Sequence, residues 1–307
     1  MRHPSLSLIV VLALAVIAVG ACASPASTPV SSATPQVESI DALLDRRFKH
    51  FLTSSEAYGA LRLAEFRDWQ DDDPPPFILD VRTEEEATAT GHIRGAVRIP
   101  LQELPDQTGV LPGFDTTIVT YCGSGWRCTM ALPVLAGLGW DSVYTLSEGS
   151  LSGWMLQEYP VEAGPPPEPA VLNAAVPDAR AIEHMRAVLS AIPEDDGAIS
   201  PEGLDQALGD GDELVLLDIR QMDEVQAKGY IASSSQLQIP IDELTDRRGE
   251  LPEDKATRIV TYCGSGYRCL LAMMMLRAYG YTDVRNLVGG LQAWQAEGYP
   301  IAGLPSP

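Results

Sequence analysis

The chain is predicted to fold as two tandem α/β domains, each a central, mostly parallel sheet flanked by helices. Three observations carry that prediction. The segment Tyr121-Cys122-Gly123-Ser124-Gly125-Trp126-Arg127-Cys128 recurs as Tyr262-Cys263-Gly264-Ser265-Gly266-Tyr267-Arg268-Cys269. The repetition extends over whole domains: Leu79-Asp80-Val81-Arg82 matches Leu217-Asp218-Ile219-Arg220, Ile99-Pro100 matches Ile239-Pro240, and Trp154 matches Trp294. A separation of about 140 residues, drifting by only two or three, is domain duplication and not a short solenoid repeat, and each copy has the size at which a domain buries its own core. Within each copy, short apolar runs alternate with stretches of helical spacing, the pattern of a parallel sheet covered on both faces.

Taken in order, residues 77–81, 96–99, 116–121 and 142–146 read as strands of copy one, with helical spacing over 129–138 and 151–157. Copy two repeats the strands at 213–218, 236–239, 257–262 and 283–287, and a helix at 270–279. Upstream, Phe51, Gly59 and Leu61 fall on Leu189, Gly197 and Ile199. The domains are therefore expected at residues 40–163 and 181–303, joined by a stiff Pro-rich linker over 164–180 that contains Pro165-Pro166-Pro167.

In each copy the repeated cysteine ends a strand and opens a loop that leads into a helix N-terminus. Backbone N–H groups of such a loop can converge on one point, and the helix dipole adds positive potential there. That environment lowers a thiol's pKa and sets a thiolate beside an anion pocket. Sites in parallel sheets lie at the carboxyl ends of strands, where Cys122 and Cys263 fall.

The 307 residues are 45% hydrophobic and 21% charged, ordinary for globular protein, with a net charge of −21. That charge argues against a nucleic-acid partner, whose phosphates would be repelled. It also requires an anionic ligand to be held by local donors. At the N-terminus, Arg2 and His3 precede an apolar run from about Leu6 to Ala21, too short for a comfortable membrane span and suited to a signal peptide over residues 1–21. Val19-Gly20-Ala21-Cys22 resembles a bacterial lipobox, which implies lipidation of Cys22. Residues 22–39 then form a Ser/Pro/Thr/Ala-rich tether, and the protein is expected outside the cytoplasm, anchored to the membrane by lipid. The alternative is cleavage after Ala23 and a secreted or periplasmic soluble protein.

These residues together resemble the rhodanese-like sulfurtransferases. The resemblance rests on residues 79–100, on the loops Cys122–Arg127 and Cys263–Arg268, and on the closing segments 148–154 and 288–294. It implies that Cys122 and Cys263 each accept a sulfane sulfur as a persulfide and pass it to a thiol or protein acceptor, with no metal or organic cofactor. It implies further that Gly123, Ser124, Gly125, Trp126 and Arg127, with Gly264, Ser265, Gly266, Tyr267 and Arg268, bind a small anionic, thiosulfate-like donor. Asp80, Arg82, Asp218 and Arg220 match the family's Asp-x-Arg strand end and are expected to support the loop. Related phosphatases resemble Cys-x5-Arg, whereas each loop here has one residue fewer between Cys and Arg, a cradle suited to sulfur.

Cys128 and Cys269 stand where the family often has Ser or Ala. They are candidate resolving thiols that would pair as Cys122–Cys128 and Cys263–Cys269, or else small buried residues of the first helical turn. The pairs leave a second functional reading, a binding or thiol-sensing module without turnover. Trp154 and Trp294, His92 and Met273-Met274-Met275 read as structural, and the acidic residues 71–73 as a solvated turn.

Overall fold

The structure, a computed structural model, describes residues 38–303; the signal, lipobox and most of the tether lie outside the described residues. Copy one runs α1 (Ile40–Ser54), β1 (Ala60–Leu61), α2 (Leu63–Trp69), β2 (Phe77–Asp80), α3 (Glu84–Thr90), β3 (Val97–Arg98), β4 (Ile118–Tyr121), α4 (Trp126–Leu138), β5 (Val143–Leu146) and α5 (Ser150–Leu156). Copy two repeats it with α6 (Ala179–Ser190), β6 (Ala198–Ile199), α7 (Pro201–Asp210), β7 (Leu214–Asp218), α8 (Met222–Lys228), β8 (Gln236–Gln238), β9 (Arg258–Tyr262), α9 (Tyr267–Ala278), β10 (Val284–Leu287) and α10 (Gly290–Ala296).

Each copy builds a five-stranded sheet, in the orders β1-β5-β4-β2-β3 and β6-β10-β9-β7-β8, and every ladder is parallel. The cysteine strands β4 and β9 are central, and Ile118, Val119, Ile259 and Val260 are fully buried, as continuous apolar strands covered on both faces require. The register sets Asp80 beside Tyr121 and Asp218 beside Tyr262, so the Asp-x-Arg ends lie next to the strand that delivers the cysteine.

Helix starts follow local chemistry. Ser39 caps α1 by accepting from the Ala42 N–H, and Thr83 with Glu86 forms a capping box at α3. Helices α4 and α9 begin three residues earlier than the apolar spacing indicated, because Gly125 and Gly266 turn the chain at φ +106° and +99° directly into the first helical turn. The edge strands β1 and β6, two residues each, are too short to leave a periodic trace in sequence.

The two copies do not keep separate cores, as their size had suggested they would. From Cys128 to Leu138 and from Cys269 to Ala278, every residue of α4 and α9 is buried. Each helix covers its own sheet on one side and packs against the other helix on the opposite side. A helix that is apolar on nearly every face is a buried helix, which accounts for Met273, Met274 and Met275; the buried exceptions, Thr129 and Arg277, donate to the Gly125 and Val284 carbonyls. One apolar cluster therefore runs through both copies, with a smaller cluster on the outer face of each sheet. Helix α1 also reaches copy two, where Asp41 and Asp45 pair with Arg248, and α6 reaches copy one, where Arg186 pairs with Asp106.

Trp154 and Trp294 are buried and donate to the carbonyls of Pro160 and Pro300. His92 is buried, and its Nδ1 donates to the Gly164 carbonyl at 2.8 Å, the structural role expected of it. Residues 71–73 form an exposed turn.

Candidate active site

Cys122 leaves β4 and Cys263 leaves β9, and both side chains are 1% exposed. The loop curls because its carbonyls are held from outside. The Cys122 and Gly123 carbonyls accept from the Leu151 and Ser152 N–H groups at the start of α5. The Cys263 and Gly264 carbonyls accept from Leu291 and Gln292 at the start of α10. With carbonyls turned out, amides turn in: Gly125 N–H donates to Cys122 Sγ at 3.2 Å, and Gly266 N–H donates to Cys263 Sγ at 3.2 Å.

A second donor comes from the cysteine six residues on. The Cys269 thiol donates to Cys263 Sγ at 3.5 Å; in copy one Cys128 is likewise the first cause lowering Cys122, while its Sγ has Ser150 Oγ at 3.6 Å. That thiol hydrogen bond is the largest influence lowering Cys122 and Cys263 to about 6, opposed by burial and assisted by the loop amides. Burial pushes Cys128 and Cys269 well up, so each stays a protonated donor. The copies differ at one point. Ser150 and Gly290 occupy matching left-handed positions, φ +55° and +57°. The Ser150 hydroxyl accepts from the Cys122 N–H at 3.0 Å and lies 3.6 Å from Cys128 Sγ, whereas Gly290 has no side chain to offer.

Arg127 and Arg268 do not stand as free charges at the rim. Glu86 takes both guanidinium arms of Arg127 at 2.7 and 2.5 Å, and Glu224 takes those of Arg268 at 2.6 and 2.7 Å. These forks hold Glu86 down at about 2 and lower Glu224. The same carboxylates close the starts of α3 and α8 by accepting from the Thr83 and Gln221 N–H groups. Each arginine thus ties the loop to a neighbouring helix, and the charge facing a donor comes mainly from the amides and helix dipole.

Asp80 and Arg82 form a buried pair, with Nε to Oδ1 at 2.8 Å, and Asp218 and Arg220 repeat it at 2.9 Å. Arg82 also donates to the Gly91 carbonyl and Arg220 to the Gly229 carbonyl. Asp80 accepts from Tyr121 Oη at 2.7 Å, and Tyr121 Oη in turn accepts from the Ile93 N–H. The pair therefore acts on the residue just before the cysteine and on the turn after α3. Tyr121, Tyr262, Glu86, Glu224 and Ser150 were not singled out from sequence. The first four recur at matched positions of the repeat, a signal that was present.

The outer faces of the two loops line one cleft of about 640 Å³, formed by Ser124, Gly125 and Trp126 on one side and Ser265, Gly266 and Tyr267 on the other. Tyr267 crosses between copies, its Oη donating to the Tyr58 carbonyl at 2.8 Å. A larger hollow of about 860 Å³ lies by the amino ends of β7 and β9, away from the cysteines.

Comparison with known proteins agrees with this arrangement. The Rhodanese-like domain family matches residues 62–157 and again 200–297. A curated sulfurtransferase of Allochromatium vinosum is 40% identical over 103 residues, 34% of this chain and 92% of that protein. A tRNA sulfurtransferase of Aeromonas hydrophila is 31% identical over 38% of this chain but only 23% of its own length. Several other curated relatives are matched over 36 to 56% of their length. Among solved structures, a thiosulfate sulfurtransferase of Pseudomonas aeruginosa aligns over 86% of this chain and 49% of that one, at 21% identity and a TM-score of 0.37. With four strands of each sheet, both cysteine loops and more than half of its length matched, the chain belongs to the rhodanese-like domain family.

Proposed function

We propose that the protein is a sulfurtransferase that carries sulfane sulfur as a persulfide on Cys122 and Cys263. The observation that supports it most is the state of the two thiols. Each is lowered to about 6, with the cysteine six residues on as the largest cause, and each receives an inward loop amide at 3.2 Å at the carboxyl end of a central parallel strand. The thiolate attacks the outer sulfur of a small anionic, thiosulfate-like donor. The S–S bond of the donor breaks, its remainder leaves with the electron pair, and the loop amides stabilise the charge on the new persulfide. A thiol or protein acceptor then attacks the outer sulfur and restores the thiolate.

Glu86 and Glu224 already occupy the arginines, so the amides of residues 123–127 and 264–268 carry donor binding. The shared cleft gives an acceptor one approach to both loops. The net charge of −21 disfavours a nucleic-acid acceptor. Export with lipidation at Cys22 is part of the same proposal, supported by the apolar run and lipobox-like residues and checked by the mass of the N-terminal peptide from membranes.

The deciding experiment is intact mass after incubation of the reduced protein with thiosulfate or mercaptopyruvate and then with cyanide. A gain of one sulfur per working loop, removed by cyanide, is expected. No gain with any donor overturns the proposal.

A further inference from the structure

The thiol behind Cys263 has a geometry that a simple sulfur carrier does not need. Cys269 Sγ lies 3.5 Å from Cys263 Sγ, is wholly buried, and approaches from the apolar core, while the Gly266 N–H sits on the loop side. A sulfur added to Cys263 finds the loop amides, and the Cys269 sulfur stays in contact with the inner sulfur of the persulfide. Contact with the inner sulfur is what thiol–disulfide exchange requires of an attacking thiol. The sulfurs sit at about van der Waals contact, and a disulfide at about 2.0 Å needs a movement of roughly 1.5 Å.

We propose that Cys269 is a resolving thiol that gives copy two a second activity, reductive release of the sulfane sulfur as sulfide. The inference rests on the persulfide reading above. Starting from the Cys263 persulfide anion, the Cys269 thiol gives its proton to the terminal sulfur. The Cys269 sulfur then attacks Cys263 Sγ, the Cys263–terminal sulfur bond breaks, and the terminal sulfur leaves as HS⁻ with the electron pair. The two protein sulfurs are oxidised to a disulfide, the sulfane sulfur is reduced to sulfide, and charge is conserved. A dithiol reductant returns the disulfide to two thiols and completes a cycle.

Copy two is assigned this role over copy one on one substitution. In copy one the hydrogen-bond partner of Cys128 Sγ is the Ser150 hydroxyl at 3.6 Å. In copy two the matching residue is Gly290, and Cys263 Sγ is the hydrogen-bond partner of Cys269.

The test is a single turnover without oxygen or added thiol, so that thiosulfate is the sole oxidant. Trypsin cleaves after Arg268 and Arg127, which places Cys263 and Cys269 on separate peptides, as it does Cys122 and Cys128. The unaltered protein is expected to release one sulfide per loaded Cys263 and to yield a cross-linked Cys263–Cys269 peptide pair. Cys269→Ser is expected to load Cys263, keep the persulfide for cyanide, and release sulfide about tenfold more slowly or less. Loading without sulfide release, cross-links confined to Cys122–Cys128, or release undiminished in Cys269→Ser would each overturn the inference and leave sulfur transfer standing. Absence of loading would overturn both. The peptide map uses the unaltered chain and decides the matter even if the serine variant does not fold.

Discussion

At the scale of single residues, the thiol at the sixth position after each loop cysteine lowers that cysteine's pKa. Cys263 is lowered to about 6 with Cys269 as the largest cause, so its thiolate persists above that pH and is lost as pH falls through it. Removing the donor with Cys269→Ala is expected to move the midpoint of Cys263 alkylation upward, toward the ordinary thiol value of about 8.5, whereas Cys269→Ser retains a donor and shifts it less. Alkylation rate against pH, followed on the Cys263 peptide, checks this; an unmoved midpoint in the alanine variant would contradict it. The two cysteine loops, each ending a strand and entering a helix, were legible in sequence because Gly125 and Gly266 leave few alternatives to a tight turn into a helix. The forks from Glu86 and Glu224 were not, since a glutamate in a first helical turn reads equally well as a cap, and here it is both.

At the scale of elements, α4 and α9 decide the stability. Leu135 is fully buried in the apolar cluster that runs through both copies, and Leu135→Ala is expected to cost about 2–5 kcal/mol through lost burial and the cavity left behind. Leu156, 82% exposed at the end of α5, is expected to tolerate the same change within about 0.5 kcal/mol. Denaturant midpoints of the two variants test the contrast, and similar shifts would refute it. The alternation of strands and helices was readable from period and composition, and so was the placing of both cysteines at strand ends. Where α4 and α9 pack was harder to read. An all-apolar helix says that it is buried, and its own residues cannot say against what; only the Met273–Met275 run hinted at a surface on every side.

At the scale of the whole molecule, the two copies share one apolar cluster. A polypeptide ending at the linker would leave α4 with one face uncovered, as would its counterpart with α9. Residues 38–163 alone are expected to self-associate or precipitate, and coexpression with residues 164–303 to restore a soluble pair. Size-exclusion chromatography of each half and of the mixture measures this, and a stable, monomeric half would refute it. The mutual burial of α4 and α9 also bears on the descent of the chain. With each copy serving as the other's inner wall, deletion of either is expected to cost the survivor its stability. A copy whose cysteine was later mutated would persist as scaffolding, shielded from purifying selection on its chemistry but not on its shape. Duplication at this interface works as a ratchet, which permits the two halves to diverge in task while forbidding them to part.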